Sequence, residues 1–266
     1  MSENSTNPSG NRSKTLFLGL LCIICLNLLQ WALFFLDLQN SWTAALYDIA
    51  DYFLIFALLY TQRKNLNSNN IDSWSMVILF LFPFISCSAD DPNWRKFLFY
   101  GIYYFGVVVF LFFWSKSKDK SVQRISSRQI FFMLGGFLLG LLITAGKAYL
   151  GQPELLSLAV KKPFEIIYSS ALSLSLCKEE FIYRGFLWGY LRMKRVPDNI
   201  IILISTFIWV GLHFNAYGSM PEIVSIIIPG LLIGFLVKKT KSISIGIGVH
   251  SGYCVLLILK SFFGGA

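Results

Sequence analysis

Nine stretches of this chain are apolar over lengths near that needed to cross a ~30 Å hydrocarbon core, and they leave room for little besides membrane helices. They lie near residues 15–37, 43–60, 74–88, 97–114, 129–146, 167–191, 198–214, 221–237 and 243–260. The third is short and contains Pro83, so the expected architecture is an all-α polytopic bundle of eight or nine transmembrane helices. The connecting stretches are short and leave no soluble domain over. Asn65 to Asn70 reads as a polar loop.

Composition agrees with a membrane solvent. Hydrophobic residues make up 55% of the chain, aromatic residues 17% and charged residues 14%, against roughly 45–50% apolar and ~25% charged in soluble domains. A net charge of +9 in a soluble protein would suggest nucleic acid. Here the basic residues fall in short loops, which makes them a topology signal and argues against a nucleic-acid partner. Arg12 and Lys14; Arg63 and Lys64; Lys116, Lys118, Lys120, Arg124 and Arg128; Arg192, Lys194 and Arg195; and Lys238, Lys239 and Lys241 mark alternate loops. That side is expected to be cytoplasmic, with the N-terminus inside and the protein in the plasma (inner) membrane. Asp37, Asp90, Asp91, Glu154 and Glu222 mark the other side, which also carries Arg95, Lys96, Lys161 and Lys162. Residues 1–14 form a polar cytoplasmic tail, and the apolar run after them is too long for a signal peptide. The cysteines Cys22, Cys25, Cys87, Cys177 and Cys254 sit in or beside apolar runs, where a thiol behaves as a small hydrophobe.

Small-residue pairs mark where helix backbones can approach closely in lipid. Four are present: Gly136 with Gly140, Gly185 with Gly189, Gly230 with Gly234, and Gly248 with Gly252. Three of the four follow residue 180, so the tightest packing is expected among the last four helices.

The most expensive residues are Lys178, Glu179, Glu180 and Arg184, inside the sixth run. An ionised group at the bilayer centre costs at least about 2.5–3.5 kcal/mol on insertion scales, so these side chains must face the bundle interior or a wet cavity. Glu180 and Arg184 are spaced i, i+4 and can pair on one helical face. Glu179 lies about 100° around the helix and is left without that partner. Lys178 has no evident partner. The polar groups cluster in the C-terminal part, where the only two histidines, His213 and His250, also lie. Counted at ~1.5 Å per residue, Glu179 is ~20 Å from Arg192, His213 ~22 Å from Asp198 and His250 ~14 Å from Lys241. Those depths allow the three to converge. His213 opens the polar run Asn215, Tyr217, Gly218 and Ser219, a route for water.

A glutamate with two imidazoles suits activation of water: the carboxylate takes a proton, and the imidazoles orient the water or the oxyanion formed from a peptide carbonyl. The same set, Glu179, His213 and His250, also suits a divalent metal such as zinc. The His-Glu-x-x-His, Gly-x-Ser-x-Gly and phosphate-loop signatures are absent from the sequence, which removes the usual signals for soluble zinc proteases, serine hydrolases and nucleotide enzymes.

At these residues the chain resembles the CPBP (CAAX protease and bacteriocin-processing, or Abi) family of intramembrane proteases. The first family motif is matched by Glu179, Glu180 and Arg184, followed by Gly185. The second, an aromatic four residues before a histidine, is matched by Trp209 and His213, with tryptophan where the family usually has phenylalanine. The third is matched by His250, with Cys254 where the family has asparagine or aspartate. Gly230 to Gly234 followed by Lys239 and Thr240 resembles the segment between the histidines. The resemblance covers roughly residues 165–260. It implies a catalytic core at 161–266 and accessory transmembrane helices at 15–160. It also implies endopeptidase activity on a membrane-associated or prenylated-type peptide. Glu179 would activate water, His213 and His250 would hold water or oxyanion, and Arg184 would brace Glu180, with Trp209, Asn215 and Cys254 in support. Two other functions stay open at this point: a non-catalytic scaffold or bacteriocin-immunity-type protein retaining the motifs, supported by Cys254, and a transporter using the buried groups as a proton relay. The sequence shows no pair of similar halves, a feature common in transporters.

Overall fold

The computed structural model describes residues 8–36, 38, 40–83, 85, 92–117, 125–151, 157, 159, 163–213 and 220–263, and over these it is all-helical. In chain order the elements are α1 (Pro8–Phe35), α2 (Ser41–Thr61), α3 (Ser73–Leu81), α4 (Asn93–Lys116), α5 (Ser127–Gly151), α6 (Pro163–Leu174) and α7 (Cys177–Glu180). A π-helical turn (Phe181–Phe186), α8 (Leu187–Met193), α9 (Asp198–Leu212), α10 (Met220–Thr240) and α11 (Ile243–Phe263) follow. Among the described residues, five helices are long and apolar enough to cross a bilayer, over Arg12–Gln30, Trp42–Thr61, Asn93–Lys116, Ser127–Tyr149 and Ile223–Thr240. Shorter apolar helices at Asp198–Gly211 and Ile243–Leu259 pack among them. This is an integral membrane protein.

Local sequence explains where several helices start and stop. Asn40 and Thr43 cap α2 reciprocally, each side chain accepting the other's backbone N–H at 3.0 Å, the geometry of a capping box. Helix α3 ends ahead of Pro83, which has no N–H to offer the carbonyl of Leu79 four residues earlier. The Tyr103 hydroxyl of α4 donates to that carbonyl at 2.5 Å. The third apolar run therefore forms a helix of only 9 residues, about 13 Å long at ~1.5 Å per residue.

The sixth run differs from the single helix expected of it. It is divided by a turn at Ser175 and Leu176 and then passes through the π turn before becoming α-helical again at Leu187. The segment Asn65 to Asn70 is likewise more than a polar loop. It forms two 3₁₀ turns, Arg63–Asn65 and Asn67–Asn69, and Asn69 and Asn70 are buried. Asn70 takes the left-handed conformation (φ 57°), which asparagine tolerates better than most residues. Its carbonyl accepts the N–H of Ile243 at 2.8 Å, and its side chain accepts from Arg192 at 3.0 Å. Asp72 caps α3 through the Ser75 N–H at 2.9 Å and accepts from the Ser242 and Ser244 hydroxyls at 2.5 and 2.7 Å. One segment thus ties the start of α3, the end of α8 and the start of α11 together. On the same side Asp198 receives Arg192 at 2.9 Å, Lys241 at 3.2 Å and the Trp188 indole at 3.3 Å. The three residues used as a common depth marker in the sequence are therefore neighbours.

The closest backbone seam joins α5 to α11. A Cβ at Gly136 or Gly140 would overlap the carbonyls of Ile245 or Val249, and one at Gly248 or Gly252 would overlap those of Met133 or Phe137. Two glycine pairs therefore face each other. The tightest contact of the last helix is with α5, outside the final four helices where it was expected. Gly230 and Gly234 pack on Thr206, Trp209 and Ile202 of α9. Gly185 and Gly189 do not receive a helix: they receive Ile71 and Asn69. Gly252→Ala is expected to lower the thermal midpoint of the solubilised protein, by the equivalent of about 1–3 kcal/mol for forced overpacking. Gly135→Ala is the control, because nothing lies within 4 Å of a Cβ there. Equal midpoints for the two variants would contradict the seam.

Candidate active site

Helix α6 ends in serines that turn back on their own helix: Ser170 donates to Ile166 O at 2.7 Å, Ser173 to Ser170 O at 2.7 Å, and Ser175 to Leu172 O. Such bonds compete with helical pairing and bend or end a helix. The chain restarts as α7, which carries Lys178, Glu179 and Glu180, and enters the π turn, all six residues of which are buried. Ser251 of α11 donates to the Ser173 carbonyl at 3.0 Å and fixes this break against the last helix.

Glu180 and Arg184 have no exposed side-chain surface and meet at 3.2 Å, so the i, i+4 pair forms despite the π turn. The same oxygen of Glu180 lies 3.0 Å from Nδ1 of His250. Arg184 also reaches the Gly230 carbonyl at 3.5 Å and stacks 5.0 Å from the Trp209 ring. The close approach of α11 depends on Gly246, where a Cβ would sit 2.9 Å from Glu180 Oε2. Glu180 is thus more than half of a brace. It also orients His250, which the depth count along the sequence assigns to Glu179 instead.

Glu179 has other neighbours. The Trp209 indole N–H donates to its Oε2 at 2.5 Å, and Nε2 of His213 faces its Oε1 at 3.7 Å. Nδ1 of His213 lies 2.8 Å from the Trp209 carbonyl. A carbonyl can only accept, so Nδ1 donates there and Nε2 is the ring atom turned toward Glu179. The Trp209 ring stands 4.9 Å from the His213 ring and 5.4 Å from that of His250. Tryptophan here is a hydrogen-bond donor as well as packing. The aromatic–x₃–His spacing put it beside His213, but spacing alone does not reveal the indole bond to Glu179.

Lys178 does have partners. Its ammonium pairs with Asp48 and lies 3.9 Å from Asp51, both on α2. These carboxylates lie outside the C-terminal half that carries the motifs. Their signal was visible: two aspartates three residues apart within an apolar run, where a charge needs a reason.

Glu179, Glu180, Arg184, Trp209, His213 and His250 therefore sit together. Cys254, one turn beyond His250, is a further polar neighbour of its ring. Asn215 and the polar run after His213 lie outside the described residues. For zinc or another divalent ion, the arrangement does not fit: among the described residues no three His, Cys, Asp or Glu side chains gather closely enough to hold one, and each imidazole is directed to a different glutamate.

Comparison with known families places residues 163–256 under the model described as Type II CAAX prenyl endopeptidase Rce1-like. The chain carries an Rce1-like domain. No curated protein and no solved structure matches the chain. The Rce1-like match begins at α6 and ends within α11, so it includes all six clustered residues and leaves out α2 with Asp48 and Asp51. The match is to a family of CAAX prenyl endopeptidases over that segment alone.

Proposed function

We propose that the Rce1-like domain hydrolyses a peptide bond of a membrane-associated substrate, with Glu179 as the general base. The observation that carries this reading is the pair of oxygens on Glu179: one held by the Trp209 indole, the other facing His213 Nε2 across 3.7 Å. That gap is too long for a direct hydrogen bond and is the kind of separation a water bridges. Water bound there donates one proton toward Glu179, and its oxygen attacks the scissile carbonyl. His250, oriented through Nδ1 by Glu180, presents its other nitrogen to the oxyanion or to the departing amine. Arg184 balances Glu180 so that this orientation persists in an apolar interior. No step runs through a metal.

The family description supports a prenylated peptide ending in a CAAX sequence as the first substrate to try. The same reading divides the chain into a cytoplasmic tail at 1–14, accessory helices at 15–160 and a catalytic core at 161–266. It places the N-terminus in the cytoplasm and the protein in the plasma (inner) membrane with eight or nine crossings. The test is reconstitution of the full chain in vesicles with such a peptide, native against His213→Ala and His250→Ala, with and without chelator. Each substitution is expected to lower kcat by roughly 100-fold or more, within the range of general acid–base catalysis, and chelator is expected to change nothing. Native-like rates in both histidine variants would remove the mechanism.

A further inference from the structure

The cluster formed by Lys178, Asp48 and Asp51 has no part in the mechanism above, yet it borders the proposed base. Lys178 immediately precedes Glu179 and is 14% exposed, and its two partners are 5% and 7% exposed. All three are charges in a nearly dry interior. Asp48 and Asp51 are spaced i, i+3, which sets them on one face of α2, and the Lys178 ammonium also lies 5.6 Å from the Tyr52 ring of that helix. A lysine is a point charge on a flexible four-carbon stem. In a low-dielectric interior it pairs with whichever carboxylate is nearest. Two are offered by α2, and the next carboxylate along its own helix is Glu179, about 100° around α7, on which its charge acts without a direct contact.

We infer that Asp48 and Asp51 are positioning residues that hold the Lys178 ammonium on α2 and away from Glu179, leaving that carboxylate to Trp209 and His213. This rests on Glu179 being the base. It extends the active site to a helix outside the Rce1-like match. A plain tether between α2 and α7 has the same contacts but a different genetic signature: breaking a tether at both ends is no better than breaking it at one. If the aspartates restrain the ammonium, removing the ammonium as well relieves the damage.

The experiment uses the full chain in vesicles with a synthetic prenyl-cysteine peptide ending in a CAAX sequence. Asp48→Asn/Asp51→Asn is expected to reduce kcat on the order of 100-fold with KM changed by no more than about twofold, because the base and not the substrate contact is affected. Adding Lys178→Met to that double variant is expected to return kcat to within about tenfold of the native value. A triple variant no faster than the double, with both keeping the native thermal midpoint, overturns the inference; so does a double variant as fast as native. Where the double variant does not fold, Asp48→Asn is compared with Asp48→Asn/Lys178→Met and read the same way. A second readout does not depend on turnover: labelling of Glu179 by a membrane-soluble carbodiimide, followed by mass spectrometry. It is expected to fall in the double variant, where the carboxylate is captured, and to recover in the triple; labelling that is equal in all three overturns the inference. Glu179→Gln in the same cleavage assay separates the two claims, since cleavage surviving it ends the assignment of the base, whereas its loss together with a failed rescue ends only the role given to α2.

Discussion

Glu179→Gln is expected to leave a folded protein that cleaves a prenylated peptide on the order of 10³- to 10⁴-fold more slowly, the upper part of the range for losing a general base. The amide keeps the shape and still accepts from the Trp209 indole, which reaches Glu179 at 2.5 Å. It cannot take a proton from water. The effect should appear in kcat and kcat/KM alike, since proton transfer belongs to the transition state. Trp209→Phe is the graded companion. It removes the donor to Glu179 but keeps an aromatic ring, the residue the CPBP resemblance makes usual at this position, and a loss of about tenfold or less is expected. A glutamine variant within tenfold of native would mean that another group activates the water.

Arg184→Met is expected to have the largest effect on stability. Glu180 and Arg184 are both without exposed side-chain surface, and removing one member of a buried pair leaves an uncompensated charge, at a cost of about 3–5 kcal/mol. His250 alone remains beside the Glu180 carboxylate. The measurement is the thermal midpoint and the yield of folded protein in detergent. The double variant Glu180→Leu/Arg184→Met removes both charges and is expected to recover most of that loss, because apolar replacements of buried pairs are often neutral or better. It should still fail to cleave, since the His250 ring has lost the group that orients it. A single variant as stable as native would show that water reaches this pair.

Much of this arrangement is legible in residue types and spacing. The nine apolar runs set an all-helical membrane protein, the unusual charges marked α7, and counting from Arg192, Asp198 and Lys241 brought Glu179, His213 and His250 to similar depth. Two kinds of information are not carried by spacing. One is which of two adjacent glutamates each histidine meets: His250 goes to Glu180 and His213 to Glu179, a result of how α11 seats on α5 through glycines more than a hundred residues away in sequence and how α9 seats on Gly230 and Gly234 of α10. The other is partnership between halves of the chain. Lys178 has no partner within its own region because its partners are on α2, and Asn69 reads as solvated because nothing local shows that Gly189 makes room for it.

The π turn at Phe181–Phe186 bears on how this protein can change over evolutionary time. A π turn is in effect one residue inserted into an α-helix, and it persists because the surrounding contacts hold both ends. Relaxation of all six residues to ordinary α pitch, with none lost, turns Glu179 and Glu180 by about 100° relative to Leu187–Met193. Both carboxylates would then miss their partners, even though every apolar position and every motif letter remained. Substitutions on the lipid-facing helices can accumulate one at a time, but one that lets this segment regain α pitch displaces both glutamates together.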